Sequence, residues 1–319
     1  MKAAVVTQAG KFPIFGDFPR PEAAENEKHI FVKAAALSNV TKSRASGAHY
    51  SSSGQFPFVP GIDGVGKLPD GQRVYFVMPR APFGSMAEET VVEASRCVNL
   101  PDELDDLTAA AIANPGMSGW AALKERAKLV AGETVLVNGA TGASGSLAVQ
   151  IAKYMGAKKV IATGRNREAL KRLESLGADV TIPLVEDGET LEEAFKDQFE
   201  AAEGIDVVLD YVWGQSAERI LVAGAKYGRE TVPVRYIHIG GTGGSNITLP
   251  GAVLRSSSIQ LMGSGIGSIA LPALVKAIDE LFQATVPGGF EIAARTVPLA
   301  QVEETWATTL TNPRLVFVP

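Results

Sequence analysis

Metal-binding and disulfide chemistry is almost absent from this chain. Its 319 residues include one cysteine, Cys97, and three histidines, His29, His49 and His238. A single thiol forms no internal disulfide and suits a reducing compartment. A catalytic zinc takes three protein ligands and keeps one position open, and a four-cysteine structural site needs four thiols. None of these residues shares a ligand spacing with another, so no bound metal is expected. His29 and His238 lie in strand patterns and read as satisfied structural histidines. Cys97, ahead of Val98-Asn99-Leu100-Pro101, reads as a small buried hydrophobe.

Excess basic charge and long apolar runs are lacking too. Thirty Lys and Arg stand against 35 Asp and Glu, a net charge of −5, which leaves no broad cationic face for a phosphate backbone. No apolar run approaches the ~20 residues that span a bilayer. The stretch Met1-Lys2-Ala3-Ala4-Val5-Val6-Thr7 turns polar too soon for a secretory signal. The expectations are no nucleic-acid partner, no membrane and a cytoplasmic location. Repeats and low-complexity tracts are also missing, and the length suits about two domains.

Glycine, by contrast, is plentiful, with 33 residues. In the first third it separates short strands, His29–Ala34, Arg73–Val77 and Met86–Val92, with Leu68-Pro69-Asp70-Gly71-Gln72 forming a tight turn. From Thr134 the texture changes. Val135–Val137, Val160–Ala162, Val207–Leu209 and Tyr236–Ile239 are short apolar runs, and helix-like stretches at 146–155, 167–176 and 191–202 lie between them. Buried strands alternating with helices predict a parallel sheet covered on both faces. A helix at 271–283 and a strand at 315–318 close the chain.

Directly after the first of these strands comes Asn138-Gly139-Ala140-Thr141-Gly142-Ala143-Ser144-Gly145. Its Ala140-x-Gly142-x-x-Gly145 core is a dinucleotide fingerprint with alanine in the first place. The small first residue permits a tight turn, Gly142 admits a pyrophosphate against the backbone, and Gly145 lets the helix pack closely. The following helix would aim its free N–H groups and positive dipole end at the phosphates. Chance matches occur in a glycine-rich chain, but strand, loop, helix and second strand stand here at the required distances. The second strand ends in Thr163-Gly164-Arg165-Asn166. NAD-binding domains carry Asp or Glu there, whereas Arg accommodates a 2′-phosphate. Arg165 therefore predicts NADP(H), with Gly164 leaving room and Asn166 adding a neutral hydrogen bond. Lys171 and Arg172 read as a solvated helix face.

A β-rich segment, then Asn114-Pro115-Gly116-Met117-Ser118-Gly119-Trp120, then a βαβ region and a C-terminal return resembles the medium-chain dehydrogenase/reductase superfamily over nearly the whole chain. The likeness is greatest to its zinc-free quinone oxidoreductase branch, the zeta-crystallin-like proteins. It implies an α/β fold in which a Rossmann doubly wound parallel sheet, residues 120–268, is inserted between the two parts of a β-rich GroES-like catalytic domain, residues 1–119 and 269–319. Gly61-Ile62-Asp63 stands where zinc-dependent members have Gly-His-Glu, and Asn114 aligns with a second ligand position, usually Cys. By the same resemblance Asn39 and Tyr50 line the substrate pocket as catalytic candidates. Gly240, Gly241, Gly263 and Ser264 belong to loops beside the nicotinamide, and Arg314 replaces a cofactor-contacting lysine. The chain departs from the family at Lys42, where many relatives are acidic, and at Pro183, where some have tyrosine. Without a metal to polarise an alcohol, a quinone is the expected hydride acceptor. Reduction of an enal or enone double bond is the alternative enzyme, and an NADPH-binding structural protein without turnover is the alternative from another class. His49 and solvent are equally good proton sources. The run Ile259-Gln260-Leu261-Met262-Gly263 reads as an edge strand through which a homodimer forms.

Overall fold

Six strands between Thr134 and Gly263 form one parallel sheet. In spatial order they are Val180–Pro183, Lys159–Gly164, Thr134–Asn138, Val207–Asp210, Val234–His238 and Ile259–Gly263. In chain order this is 3-2-1-4-5-6, the doubly wound arrangement, and every pairing is parallel. The structure is a computed structural model describing residues 1–47, 55–185, 188–308 and 313–319. The first three apolar runs are buried throughout, with Val135, Leu136, Val137, Val160, Ile161, Val207, Val208 and Leu209 closed to solvent, and the fourth is buried at Tyr236 and Ile237. Such strands need cover on both faces. The helices Ala143–Tyr154, Arg167–Ser175, Gly188–Glu200 and Gly214–Tyr227 supply connections between them.

The chain divides into two compact units, residues 1–114 with 275–319, and residues 115–274. The sequence places the divisions at 119/120 and 268/269. The first division of the structure falls inside the helix Asp106–Ala121 and the second inside Leu271–Thr285. Helices that run through a division carry no linker composition for a sequence to show.

The other unit holds a sheet in the order Ala294–Pro298, Arg314–Val318, Glu27–Ala36, Asp63–Lys67, Arg73–Val77, Cys97–Asn99, with Glu89–Glu93 also paired to Glu27–Ala36. All its pairings are antiparallel except that of the last two strands in the chain. The C-terminal segment thus completes a sheet begun near the start, and Val297, Leu315 and Phe317 share a core with Ala3, Val5, Leu37 and Met86. The strand expected at 86–92 runs Glu89–Glu93 instead, and Asn114–Trp120 lies in the helix Asp106–Ala121.

Candidate functional site

The fingerprint loop leaves strand Thr134–Asn138 through Gly139, whose φ is +86°. A side chain there would meet Val212 Cγ2 at 2.5 Å, so glycine is needed on both counts. Gly145 is equally constrained, since a Cβ would stand 2.3 Å from the Gly139 carbonyl oxygen. Gly142 differs. Its φ of −82° suits any residue, and the nearest atom to an added Cβ is 3.9 Å away. The protein itself therefore asks for no glycine at 142, and the space above it fits a group that approaches the backbone from outside. The helix it opens, Ala143–Tyr154, has no side-chain cap on its first turn. Ala140, Thr141, Ala143 and Ser144 complete this cradle, and its uncapped N–H groups match an anionic phosphate.

Strand Lys159–Gly164 delivers Arg165 to the same end of the sheet. Arg165 is exposed and makes no hydrogen bond or ion pair among the described residues. Asn166 is spent locally, its Oδ1 accepting the Ala169 N–H at 3.0 Å as the cap of Arg167–Ser175. A Cβ at Gly164 would lie 2.4 Å from Thr141 Cγ2, so that glycine packs against the fingerprint loop. Gly240 is held against the Tyr211 carbonyl in the same manner, at 2.9 Å, while nothing lies within 4 Å of a Cβ at Gly263. Gly241 follows Gly240, and Ser264 donates its N–H to the His238 carbonyl at 2.9 Å.

Sequence reasoning missed a buried network at this end of the sheet. Gly139 N–H donates to Thr163 Oγ1, 3.3 Å, and Thr163 Oγ1 donates to Asn138 Oδ1, 2.7 Å. Asn138 Nδ2 donates to Asp210 Oδ1, 2.7 Å. The same carboxylate oxygen accepts the N–H groups of Val212 and Trp213, at 2.9 and 3.0 Å. Asp210 Oδ2 accepts the Tyr236 hydroxyl at 2.8 Å. Burial first, then the Asp210 charge, holds the Tyr236 phenol well above its ordinary range, so it stays a donor. The network joins four adjacent strands across the point where strand order reverses, the crevice where open α/β sheets bind ligands. The available signal was that three buried runs each end in a polar residue, Asn138, Thr163 and Asp210.

In the other unit Asn39 opens the helix Asn39–Ala45, with Ser38 Oγ accepting the Thr41 N–H. Asn39 is exposed, and its side chain bonds nothing among the described residues. Tyr50 and His49 lie outside the described residues. Arg314 begins the strand Arg314–Val318, near a buried pair in which Tyr75 donates to Asp63 Oδ2 at 2.6 Å. Burial pushes the Asp63 carboxyl up, against the Tyr75 hydrogen bond and the Arg314 charge. Among the described residues Arg314 Nε and Nη2 are buried without a hydrogen-bond partner.

His29 is satisfied, its Nε2 lying 3.0 Å from Glu89 Oε2. His238 is not. Its Nε2 is buried with no partner among the described residues while the ring packs on Trp213, centroids 4.3 Å apart. That corrects the expectation of two satisfied histidines, because a strand position fixes a ring's place and not its hydrogen bonds. Among the described residues no group of three His, Cys, Asp or Glu side chains comes together. Cys97 is half-buried rather than enclosed, and burial pushes its thiol up to about 11. Against the ordinary value of 9.0 this leaves about a hundredfold less thiolate near neutrality. Iodoacetamide labelling at neutral pH is therefore expected to lag a free cysteine peptide by about that factor, and labelling at the peptide's rate would refute it.

Comparison with known proteins agrees with this geometry. The profile of the family described as zinc-binding dehydrogenase matches residues 143–283. A protein of Emericella nidulans named "Probable NADPH-dependent quinone reductase tdiC" is 32% identical over 364 aligned positions, covering all of both chains. The chain belongs to the medium-chain dehydrogenase/reductase superfamily, among its quinone oxidoreductase-like proteins. The quinone oxidoreductase of Thermus thermophilus, solved alone and with NADPH, superposes with a TM-score of 0.83 at 28% identity, both chains fully covered. The NADPH-dependent alkenal/one oxidoreductase of Arabidopsis thaliana is 35% identical over 51% of this chain and 46% of its own. The whole chain offers one cysteine and three histidines as soft or borderline metal ligands.

Proposed function

We propose that this protein is an NADPH-dependent, zinc-independent reductase that transfers a hydride to a quinone. Bound NADPH would supply the hydride. The observation that carries the reading is the open cradle at Gly142 with an exposed Arg165 beside it that has no partner among the described residues, which suits a dinucleotide bearing a 2′-phosphate. Ala140 to Gly145 would hold the pyrophosphate, Gly164 and Arg165 the phosphorylated ribose, and Gly240, Gly241, Gly263 and Ser264 the nicotinamide half, with Arg314, two of whose donors have no partner among the described residues, meeting an anionic group. Asn166 keeps the structural task of capping. The Asn39 amide, without a partner among the described residues, would donate to the acceptor oxygen as it gains charge, with Tyr50 as the second donor. Quinones and unsaturated carbonyls need no more polarisation than this, which a chain poor in metal ligands can provide. Reduction of an enone is the second reading, favoured by the partial identity to the alkenal/one oxidoreductase.

Paired panels of quinones and enones, followed by loss of NADPH absorbance, separate the readings. Quinones are expected to turn over faster than enones, with no loss of rate on chelation. Asn39→Ala is expected to lower kcat/KM about tenfold or more, with NADPH affinity unchanged. Stoichiometric NADPH binding without consumption on any acceptor would instead indicate a binding protein.

A second copy of the chain would pair along Ile259–Gly263. That strand ends the parallel sheet, and Leu261 and Ile266 are exposed on and beside it. Light scattering at micromolar concentration is expected to give twice the chain mass, and Leu261→Asp to halve it. A wild-type monomer would exclude the pairing. The cytoplasm is the proposed location, consistent with one free thiol.

A further inference from the structure

The helix Asn39–Ala45 buries Thr41 and Ala45. Side chains three apart on a helix are neighbours, so Lys42 stands one turn along from Asn39 and borders the buried Ala45, in keeping with its partial burial. Its Nζ donates to the Thr308 carbonyl at 2.6 Å. An ammonium carries three donors, and no other partner for this one occurs among the described residues. No carboxylate lies within ion-pair distance among them, and residues 48–54 and 309–312, which adjoin these segments in sequence, contain no Asp or Glu. Arg44 turns aside, its Nη1 reaching Met78 Sδ at 3.8 Å. Lys42 is half-buried, and burial draws its ammonium below the ordinary range. Among the described residues this partly desolvated cation is anchored at one donor and meets no countercharge, which leaves two donors open to an anion.

We infer that Lys42 is a specificity residue that favours acceptors carrying an anionic substituent, a carboxylate or sulfonate, on the ring that bears the reducible carbonyl. The inference rests on the reading that Asn39 meets the acceptor oxygen. The Thr308 carbonyl holds the ammonium in place beside Asn39, and the acceptor's anion completes its coordination. A neutral quinone leaves the two donors to water.

The probes are 1,4-naphthoquinone and 1,4-naphthoquinone-2-sulfonate, with affinities measured on protein saturated with NADP+, which has no hydride to give. Rates with NADPH are measured alongside. Comparing variant with wild type cancels the greater intrinsic reactivity of the sulfonated ring. Lys42→Met is expected to weaken the sulfonate about tenfold, the scale of one charge-assisted hydrogen bond, and the neutral quinone less than about twofold. Lys42→Arg should keep most of the preference. Raised salt should weaken only the sulfonate, and only with wild type. An unchanged ratio in Lys42→Met, equal loss of both probes, or no binding of either overturns the inference. Absence of turnover with neutral quinones would instead overturn the proposed function, and the binding ratio on NADP+-loaded protein would still decide Lys42.

Discussion

Arg165→Ala is expected to weaken NADPH by about one to two decades and NADH by less than about twofold, since one or two charge-assisted hydrogen bonds of roughly 1.5–3 kcal/mol are removed from a phosphate that NADH lacks. Arg165 is exposed and bonds no described residue, so its removal costs the fold nothing. An unchanged melting curve is part of the expected result. Asn166→Ala is the control. It deletes the cap on Arg167–Ser175, which costs stability of about 1 kcal/mol, and should affect both cofactors alike. Gly164→Asp is the obvious route to an NADH enzyme, yet its Cβ would press on Thr141 Cγ2 and disturb the phosphate cradle for either cofactor. Arg165→Asp reverses the charge without that contact and is the better variant. Titration of both cofactors by fluorescence checks the set. Equal losses for NADPH and NADH in Arg165→Ala would remove Arg165 as selector.

The parallel sheet was legible because its strands are apolar on both faces, and Val135–Val137 and Val207–Leu209 cannot face water in any register. The fingerprint was legible for a related reason. Gly139 and Gly145 are imposed by contacts of the turn itself, and only Gly142 is left to the ligand. Networks are harder to read. Nothing local to Asp210 says that Asn138, Tyr236 and two backbone N–H groups converge on it, because those partners come from neighbouring strands and from the turn that Asp210 itself ties. Asn166 shows why single residues are harder to read, because a cap and a ribose contact use the same residue type at the same place, and its Oδ1 serves as the cap. The two compact units divide inside helices, where no linker composition marks a boundary. Asn39 and Tyr50 rested on resemblance, since an exposed amide at a helix start has no pattern of its own.

Asp210→Ala is expected to cost the dinucleotide-binding unit roughly 3–5 kcal/mol and to abolish measurable NADPH binding. The carboxylate is closed to solvent and accepts four hydrogen bonds. Alanine would strand the Tyr236 hydroxyl and two backbone N–H groups, while Asn138 Nδ2 keeps only Ser216 Oγ at 2.9 Å. A buried donor left unpaired costs about 1–3 kcal/mol, and losses within one network do not add fully. The second effect concerns the turn. Trp213 has φ +61° and ψ −159°, a conformation favoured by glycine that costs a larger residue about 1–3 kcal/mol. Asp210 holds it by taking the Val212 and Trp213 N–H groups, and the indole is braced on His238. Val212 in turn stands where a side chain at Gly139 would be, so release of the turn reaches the first residue of the phosphate loop. Asp210→Asn separates the two effects. Its amide oxygen can still accept both backbone N–H groups and keep the turn, at a cost of about 1–2 kcal/mol from the weaker neutral bonds. It should therefore bind NADPH within about an order of magnitude of wild type. Urea unfolding and NADPH titration of the two variants check this, and an Asp210→Ala protein that is stable and binds NADPH normally would show that the network is dispensable.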